Sequence, residues 1–168
     1  MKKKIRVAFA GVGSNTSATL QMIVRGHMLD KGEENGVNFA QIYDYSISDI
    51  EIACCFDVDE RKVGKDISEA IFVVDNACRR YVDVPKLNIP VLSGPLFDGI
   101  DGKLNNKIPV HINSKSNDIV DVVKKLKEYE VDVLVANLPT GAEKAVKEYA
   151  KAAANAKVAF INTTPEKV

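Results

Sequence analysis

The sequence predicts an α/β fold in which helices cover both faces of a mainly parallel sheet. Three short and almost wholly apolar runs, at 5–10, 50–56 and 131–136, have the composition of strands that are buried on both faces of such a sheet. Segments with helical spacing of apolar residues alternate with these runs, as in right-handed βαβ units. We expect one domain over residues 1–168, a length that is sufficient to bury a core.

The remaining predicted elements follow in strand–helix order. In chain order they are a helix at about 15–29, a short helix within 61–72, short strands at 91–92 and 110–112, a helix that Asp118 caps and that runs to about Glu130, a helix at 141–155 and a strand at 158–161. Residues 30–48 are polar and rich in Gly and Asn, which predicts a surface loop or insertion.

Charge and composition exclude several classes of protein. Lys and Arg together number 23, as do Asp and Glu, and a dedicated nucleic-acid binder carries a basic excess instead. The sequence contains no run of about 18 apolar residues, so it predicts no membrane span. The three cysteines form no metal-ligand pattern with the two histidines, so no metal site is expected. An odd number of cysteines favours buried thiols in a reducing compartment, which predicts a cytoplasmic location.

The turn after the first strand, GVGSNT at 11–16, has the features of a dinucleotide-binding turn. Gly11 allows a tight turn, and Gly13 lets a pyrophosphate approach the backbone at the start of the next helix. The third fingerprint position is usually Gly or Ala, and here it is Thr16. The position of the turn between a buried strand and a helix favours phosphate binding over a plain glycine turn.

Asp57 follows the second strand, where a Rossmann-type domain binds the adenosine ribose. A carboxylate there accepts hydrogen bonds from both ribose hydroxyls, which contribute about 1.5–3 kcal/mol. It also repels a 2′-phosphate, so Asp57 favours NAD over NADP as the cofactor. The alternative is a solvated turn at 57–59, with Asp59 capping the next helix.

Two loops follow later strands of the predicted sheet, NLPTG at 137–141 and NTTP at 162–165. Ligands of doubly wound folds lie beyond the carboxyl ends of the strands, so these loops are placed to contact the cofactor. Asn, Pro, Thr and Gly also form ordinary turns, and that interpretation stays open.

Four segments together resemble the archaeal and actinobacterial type of myo-inositol-1-phosphate synthase (inositol-3-phosphate synthase). They are VAFAGVGSNTSATLQ, SDIEIACCFDVDERKVGKDISEAIF, GPLFDGI and VDVLVANLPTGAEKAVKEYAKAAANAKVAFINTTP, in the order that the family has them. The resemblance implies a Rossmann-like doubly wound domain of an enzyme that converts glucose 6-phosphate to inositol phosphate. In that reaction NAD oxidises the sugar, an aldol cyclisation follows, and the NADH reduces the product ketone.

The resemblance also implies roles for residues. Carried over by motif, the pyrophosphate contacts would come from Gly11, Gly13, Ser14, Asn15 and Thr16, the ribose contact from Asp57, and the nicotinamide-side contacts from Asn137, Leu138, Pro139, Thr140 and Asn162. The family has Asn directly after the second glycine, where this chain has Ser14. The family's L-P-V-G-S ends here in Ala142, without the hydroxyl.

In the family, a second domain carries the catalytic lysines, the sugar-phosphate site and the tetramer contacts, and we expect this domain to be absent from residues 1–168. We therefore assign no catalytic residue, interpret Lys65 and Lys115 as surface lysines, and expect the chain alone to be inactive. The expected partners are NAD, a sugar phosphate if that domain is supplied, and further copies in a homo-oligomer. The alternatives are a stand-alone NAD-binding regulatory module and the cofactor domain of another NAD-dependent oxidoreductase. The sequence assigns no role to residues 98–117.

Overall fold

Five parallel strands form the central sheet of the protein. The structure is a computed structural model and describes residues 4–28, 41–73, 76–101, 104 and 107–168. In chain order the elements are β1 (Ile5–Ala10), α1 (Ser14–Met28), β2 (Gln41–Ile42), β3 (Tyr45–Ser46), β4 (Ile50–Asp57), α2 (Ile67–Ala70), β5 (Val91–Ser93), α3 (Ile119–Glu128), β6 (Val133–Ala136), α4 (Glu143–Ala156) and β7 (Ala159–Asn162). The strand order in the sheet is β5-β4-β1-β6-β7, and all neighbours are parallel.

The helices cover both faces of this sheet, which confirms the predicted doubly wound α/β fold. Successive residues of a strand point to opposite faces. Phe9 of β1 therefore packs in a core with residues of α1 and α2, whereas Ala8 packs in a second core with residues of α3 and α4. From β1 the chain adds β4 and β5 on one side and then β6 and β7 on the other. This reversal places a topological switch point at the carboxyl ends of β1 and β6, where ligands of such folds bind.

Most predicted elements are present with ends that differ by one or two residues, and Asp118 caps α3 by accepting a hydrogen bond from Val120 N at 3.1 Å. The predicted strand at 110–112 is wrong. Val110 forms only an isolated bridge with Asp59, and residues 112–115 form a 3₁₀ helix. Within the predicted loop at 30–48, residues 41–46 form a small hairpin, while residues 30–40 lie outside the described part of the chain. The structure describes no helix with the length and apolar character needed to cross a bilayer.

The residue that caps α4 comes from far away in the sequence. Ala142, at the N-cap position, offers no side-chain acceptor. The carboxylate of Asp98 accepts hydrogen bonds from Lys144 N at 2.7 Å and from Ala145 N at 2.9 Å. Its charge also lies at the positive end of the helix dipole. Asp98 thereby fixes the segment 94–100 across the carboxyl edge of the sheet.

We predict that Asp98→Ala lowers the free energy of unfolding by about 1–2 kcal/mol, because two amides of the first turn of α4 lose their acceptor. Urea unfolding monitored by circular dichroism measures this loss. Asp101→Ala removes an exposed acid three residues further on and is the matched control, for which no more than about 0.5 kcal/mol is expected. Equal losses in the two variants would contradict the capping role.

Candidate functional site

A crevice of about 190 Å³ opens at the switch point of the sheet. One side of it consists of the turn after β1, the end of β4 and the loop after β6. The other side is largely apolar and includes Leu96, Phe97, Ile100 and Tyr149. A larger groove, of about 340 Å³, lies near the amino end of β4 and contains none of the predicted site residues. The crevice is therefore the candidate ligand site.

Gly11 is required at the turn after β1 by two independent features. Its φ of +91° lies in the left-handed region that other residues rarely adopt. In addition, a Cβ atom on Gly11 would lie 2.6 Å from the carbonyl oxygen of Asn137. Around Gly13 a Cβ would meet no atom within 4 Å, so there is open space beside the backbone where α1 begins. The first amides of a helix have no partner within the helix, and they are available here to an anion.

Thr16, in the third fingerprint position, links the turn to the loop after β6. Its buried hydroxyl donates to Gly11 O at 2.5 Å and accepts from Asn137 Nδ2 at 2.8 Å. The other end of the Asn137 amide accepts from Thr163 Oγ1 at 2.6 Å. These three side chains form a hydrogen-bonded chain across the carboxyl ends of β1, β6 and β7. Thr16 thus replaces the usual small residue with a group that holds two loops together.

The carboxylate of Asp57 is held by three backbone amides and one lysine. Its Oδ1 accepts from Val58 N at 2.7 Å and from Asp59 N at 3.0 Å. Its Oδ2 accepts from Val12 N at 2.8 Å, and Lys62 Nζ lies 3.4 Å from the same oxygen. The Val12 bond joins the end of β4 directly to the turn after β1. Asp57 is therefore fixed in the crevice before any ligand arrives.

Asp59 does not cap α2, so that part of the alternative interpretation is wrong. The side chain of Asp66 caps α2 instead, by accepting from Ser68 N at 3.0 Å. Asp59 is 1% exposed and pairs with Arg61, whose guanidinium approaches to 2.7 Å. Burial alone would raise the pKa of Asp59, but hydrogen bonds from Arg61 and the nearby charge of Lys62 lower this pKa below its ordinary value. Asp59 is thus a carboxylate that anchors the loop after β4.

A second cavity, of about 260 Å³, lies beside the crevice. The two share Val12, Gly13, Lys62 and Ile108 in their linings. Sequence analysis missed Lys62, since a lysine within the charged run DERK resembles a solvated surface residue. The sequence signal for Lys62 was its position five residues after Asp57. The contact between the two side chains is evident only from the direction of the lysine side chain in the structure.

Tyr149 is a second residue that sequence analysis missed. It lies on the core-facing side of α4 and is only 3% exposed. Its ring also lines the crevice, and a Cβ atom on Gly94 would clash with its hydroxyl. Burial first, and then the charge of Asp57, raises the pKa of Tyr149. The crevice therefore contains a neutral phenol.

The structure brings together about half of the predicted site residues. Those that line the crevice are Gly11, Gly13, Asp57, Asn137, Leu138 and Pro139, while Gly13 and Ser14 line the second cavity. Asn15, Thr16, Thr140 and Asn162 line neither. The side chain of Asn162 accepts from Thr164 N and donates to Glu166 O, so it shapes the turn after β7. Contact of any of these residues with a cofactor remains a prediction. The described residues include no group of three or more His, Cys, Asp or Glu that could hold a metal ion.

Fold and site together define a Rossmann-like α/β protein with a crevice at the switch point, and comparison with known proteins refines this class. The chain is 41% identical over 163 residues to the inositol-3-phosphate synthase of Mycolicibacterium smegmatis, and 39% identical over 162 residues to that of Corynebacterium glutamicum. Each match covers 96% of this chain and 44% of the relative. The resemblance to inositol-3-phosphate synthases is thus confirmed, and the chain spans less than half the length of these relatives. No protein-family model matches the chain.

Two solved structures are similar to the chain over nearly all of its length. The crystal structure of Ari2 superposes with a TM-score of 0.79 at 30% identity, covering 99% of this chain and 47% of that one. A myo-inositol-1-phosphate synthase-related protein from Thermotoga maritima superposes with a TM-score of 0.67 at 19% identity. That match covers 98% of this chain and 49% of the other, and it supports the fold alone.

We predict that Thr16→Val lowers the free energy of unfolding by about 1–3 kcal/mol, because the amide of Asn137 and the carbonyl of Gly11 lose a buried partner. Urea unfolding measures the change. Thr16→Ser keeps the hydroxyl and removes only a methyl group, so the loss should be clearly smaller. A loss in Thr16→Ser that equals the loss in Thr16→Val would assign the effect to packing instead.

Proposed function

We propose that the chain is the NAD-binding part of an inositol-phosphate synthase, which converts glucose 6-phosphate to inositol phosphate. The observation that carries the proposal is that the turn at 11–16 and Asp57 meet at a crevice on the switch point of the sheet. The similarity over 96% of the chain to proteins named inositol-3-phosphate synthase supports the same assignment. It also favours this function over a stand-alone regulatory module.

The arrangement of side chains suits an extended dinucleotide. The apolar wall that includes Leu96, Phe97 and Ile100 would take the adenine ring, and Asp57 Oδ2 would accept a hydrogen bond from a ribose hydroxyl. The open space beside Gly13, at the start of α1, would receive the pyrophosphate. The loop after β6 lies on the far side of the turn and would face the nicotinamide half.

In this function the chain binds and orients the cofactor, and the cofactor supplies the acceptor and donor of hydride. Three described side chains that could exchange a proton, two cysteines and one tyrosine, are held in their neutral forms. Burial raises the pKa of Cys54 to about 12 and raises that of Cys55 as well, and both thiols lie in the core. Tyr149 is neutral for the same reason. We therefore assign the proton transfers on the sugar to parts of a synthase outside residues 1–168. The homo-oligomeric assembly and a cytoplasmic location form part of the same proposal.

We predict that NAD binds saturably to the chain and that Asp57→Asn weakens this binding about tenfold to a hundredfold, since one charged acceptor of the ribose hydroxyls is lost. Isothermal titration calorimetry measures both affinities. Asp83→Asn, which changes an acid whose side chain is 99% exposed, is the matched control and should leave the affinity unchanged. Circular dichroism melts verify that each variant is folded.

Two outcomes would contradict parts of this assignment. If the folded Asp57→Asn variant binds NAD as tightly as the original chain, Asp57 does not hold the ribose. If the original chain binds no NAD, the crevice is not by itself a cofactor site and the proposed function of this chain fails.

A further inference from the structure

Lys62 lines both the crevice and the second cavity. It contacts two carboxylates, and in each case its distance is longer than those of the carboxylate's other donors. Its Nζ lies 3.4 Å from Asp57 Oδ2 and 4.0 Å from Asp59 Oδ2. Both carboxylates already have closer donors, namely backbone amides for Asp57 and the guanidinium of Arg61 for Asp59. Hydrogen bonds weaken beyond about 3.2 Å. The ammonium group of Lys62 therefore keeps donors for another acceptor, although its side chain is only 15% exposed.

A ribose hydroxyl that binds Asp57 would meet Lys62 at the same place. Two backbone amides already donate hydrogen bonds to Asp57 Oδ1, and Val12 N donates to one lone pair of Asp57 Oδ2. The remaining acceptor position of this carboxylate is therefore the one that Lys62 faces. A hydroxyl can donate to the carboxylate and accept from the ammonium at the same time. A 2′-phosphate has only acceptors at neutral pH. Asp57 repels it, whereas Lys62 attracts it.

The second cavity offers room and positive charge for such a phosphate. Among the described residues, its charged lining comprises one carboxylate, Asp59, and three cations, Arg61, Lys62 and Lys107, so cations outnumber carboxylates there. Asp59 and Arg61 largely neutralise each other at 2.7 Å. Polar groups of Ser14 and Asn76 complete the wall. Arg and Lys are the residues that bind phosphate oxygens most strongly in proteins.

We propose that the second cavity is a subsite for a phosphate group on the 2′ position of an adenosine ribose, and that Lys62 determines how strongly the chain discriminates between NAD and NADP. The inference rests on the proposed function and deepens it. Asp57 alone would exclude a 2′-phosphate. With Lys62 beside it the exclusion is partial, so the chain binds both nucleotides and prefers NAD.

Calorimetric titrations with NAD and NADP at one fixed ionic strength test the subsite. Lys62→Met keeps most of the side-chain stem and removes the charge, while Asp57 retains its three amide bonds. We expect this variant to lose at least about tenfold more affinity for NADP than for NAD, as for a lost charge-assisted hydrogen bond. Lys62→Arg should restore the original ratio. Lys65→Met, which alters an exposed lysine of the same loop, should not change the ratio.

The original chain provides a second measurement that needs no variant. Adenosine 5′-monophosphate and adenosine 2′,5′-bisphosphate differ only in the 2′-phosphate, and we expect both to bind. If the chain binds NAD and adenosine 5′-monophosphate but neither 2′-phosphorylated ligand, the subsite does not exist, although the cofactor assignment stands. Equal losses for NAD and NADP in Lys62→Met overturn the role of Lys62 in the same way. If no nucleotide binds at all, the proposed function fails, and this inference fails with it.

Discussion

The hydrogen bond from Val12 N to Asp57 Oδ2 is the contact on which the geometry of the site depends. It connects the turn after β1 to the end of β4, two segments that are 45 residues apart in the chain. A second bond, from Gly11 N to Phe56 O at 2.8 Å, fixes the same two segments in register. Because the acceptor is a charged carboxylate, the first bond is stronger than a bond between neutral groups. The turn that we propose to receive the pyrophosphate and the acid that we propose to bind the ribose are thereby held as one rigid unit.

The opposite side of the turn is held by a different kind of network. There Thr16, Asn137 and Thr163 form a chain of neutral hydrogen bonds, in which Thr16 and Asn137 each donate and accept and Thr163 donates. Neutral groups suit this position because Thr16 is fully buried, and an uncompensated charge there would be costly. The loops that follow β1, β4 and β6 are consequently tied to each other before a ligand binds. Such preorganisation reduces the entropy that binding must overcome.

The short segment 57–62 combines structural and electrostatic roles. The buried Asp59 pairs with the partly exposed Arg61 and fixes the loop, so their charges largely offset each other. Asp57 faces the crevice and Lys62 faces both cavities, so their charges act on a ligand that enters. Asp98 fixes the opposite wall of the crevice, because its hydrogen bonds with α4 hold the apolar segment 94–100 over the crevice. Because both walls of the crevice are held rigidly, few side chains remain that can determine which ligand binds.

The sequence by itself determined the doubly wound sheet, the turn at 11–16 and the position of Asp57. These features depend on local patterns, namely apolar runs, helical spacing and residues that follow a strand. Local pattern failed at 110–112, where β-forming residues find no neighbouring strand and make only an isolated bridge. Only the tertiary structure decided that Thr16 holds two loops, that Asp98 caps α4 and that Lys62 approaches Asp57. The first two contacts join residues 121 and about 46 positions apart, and the third depends on the direction of one flexible side chain. No pattern of neighbouring residues encodes the two long-range contacts, because they arise only when the sheet brings its carboxyl ends together, and none fixes the direction of the Lys62 side chain.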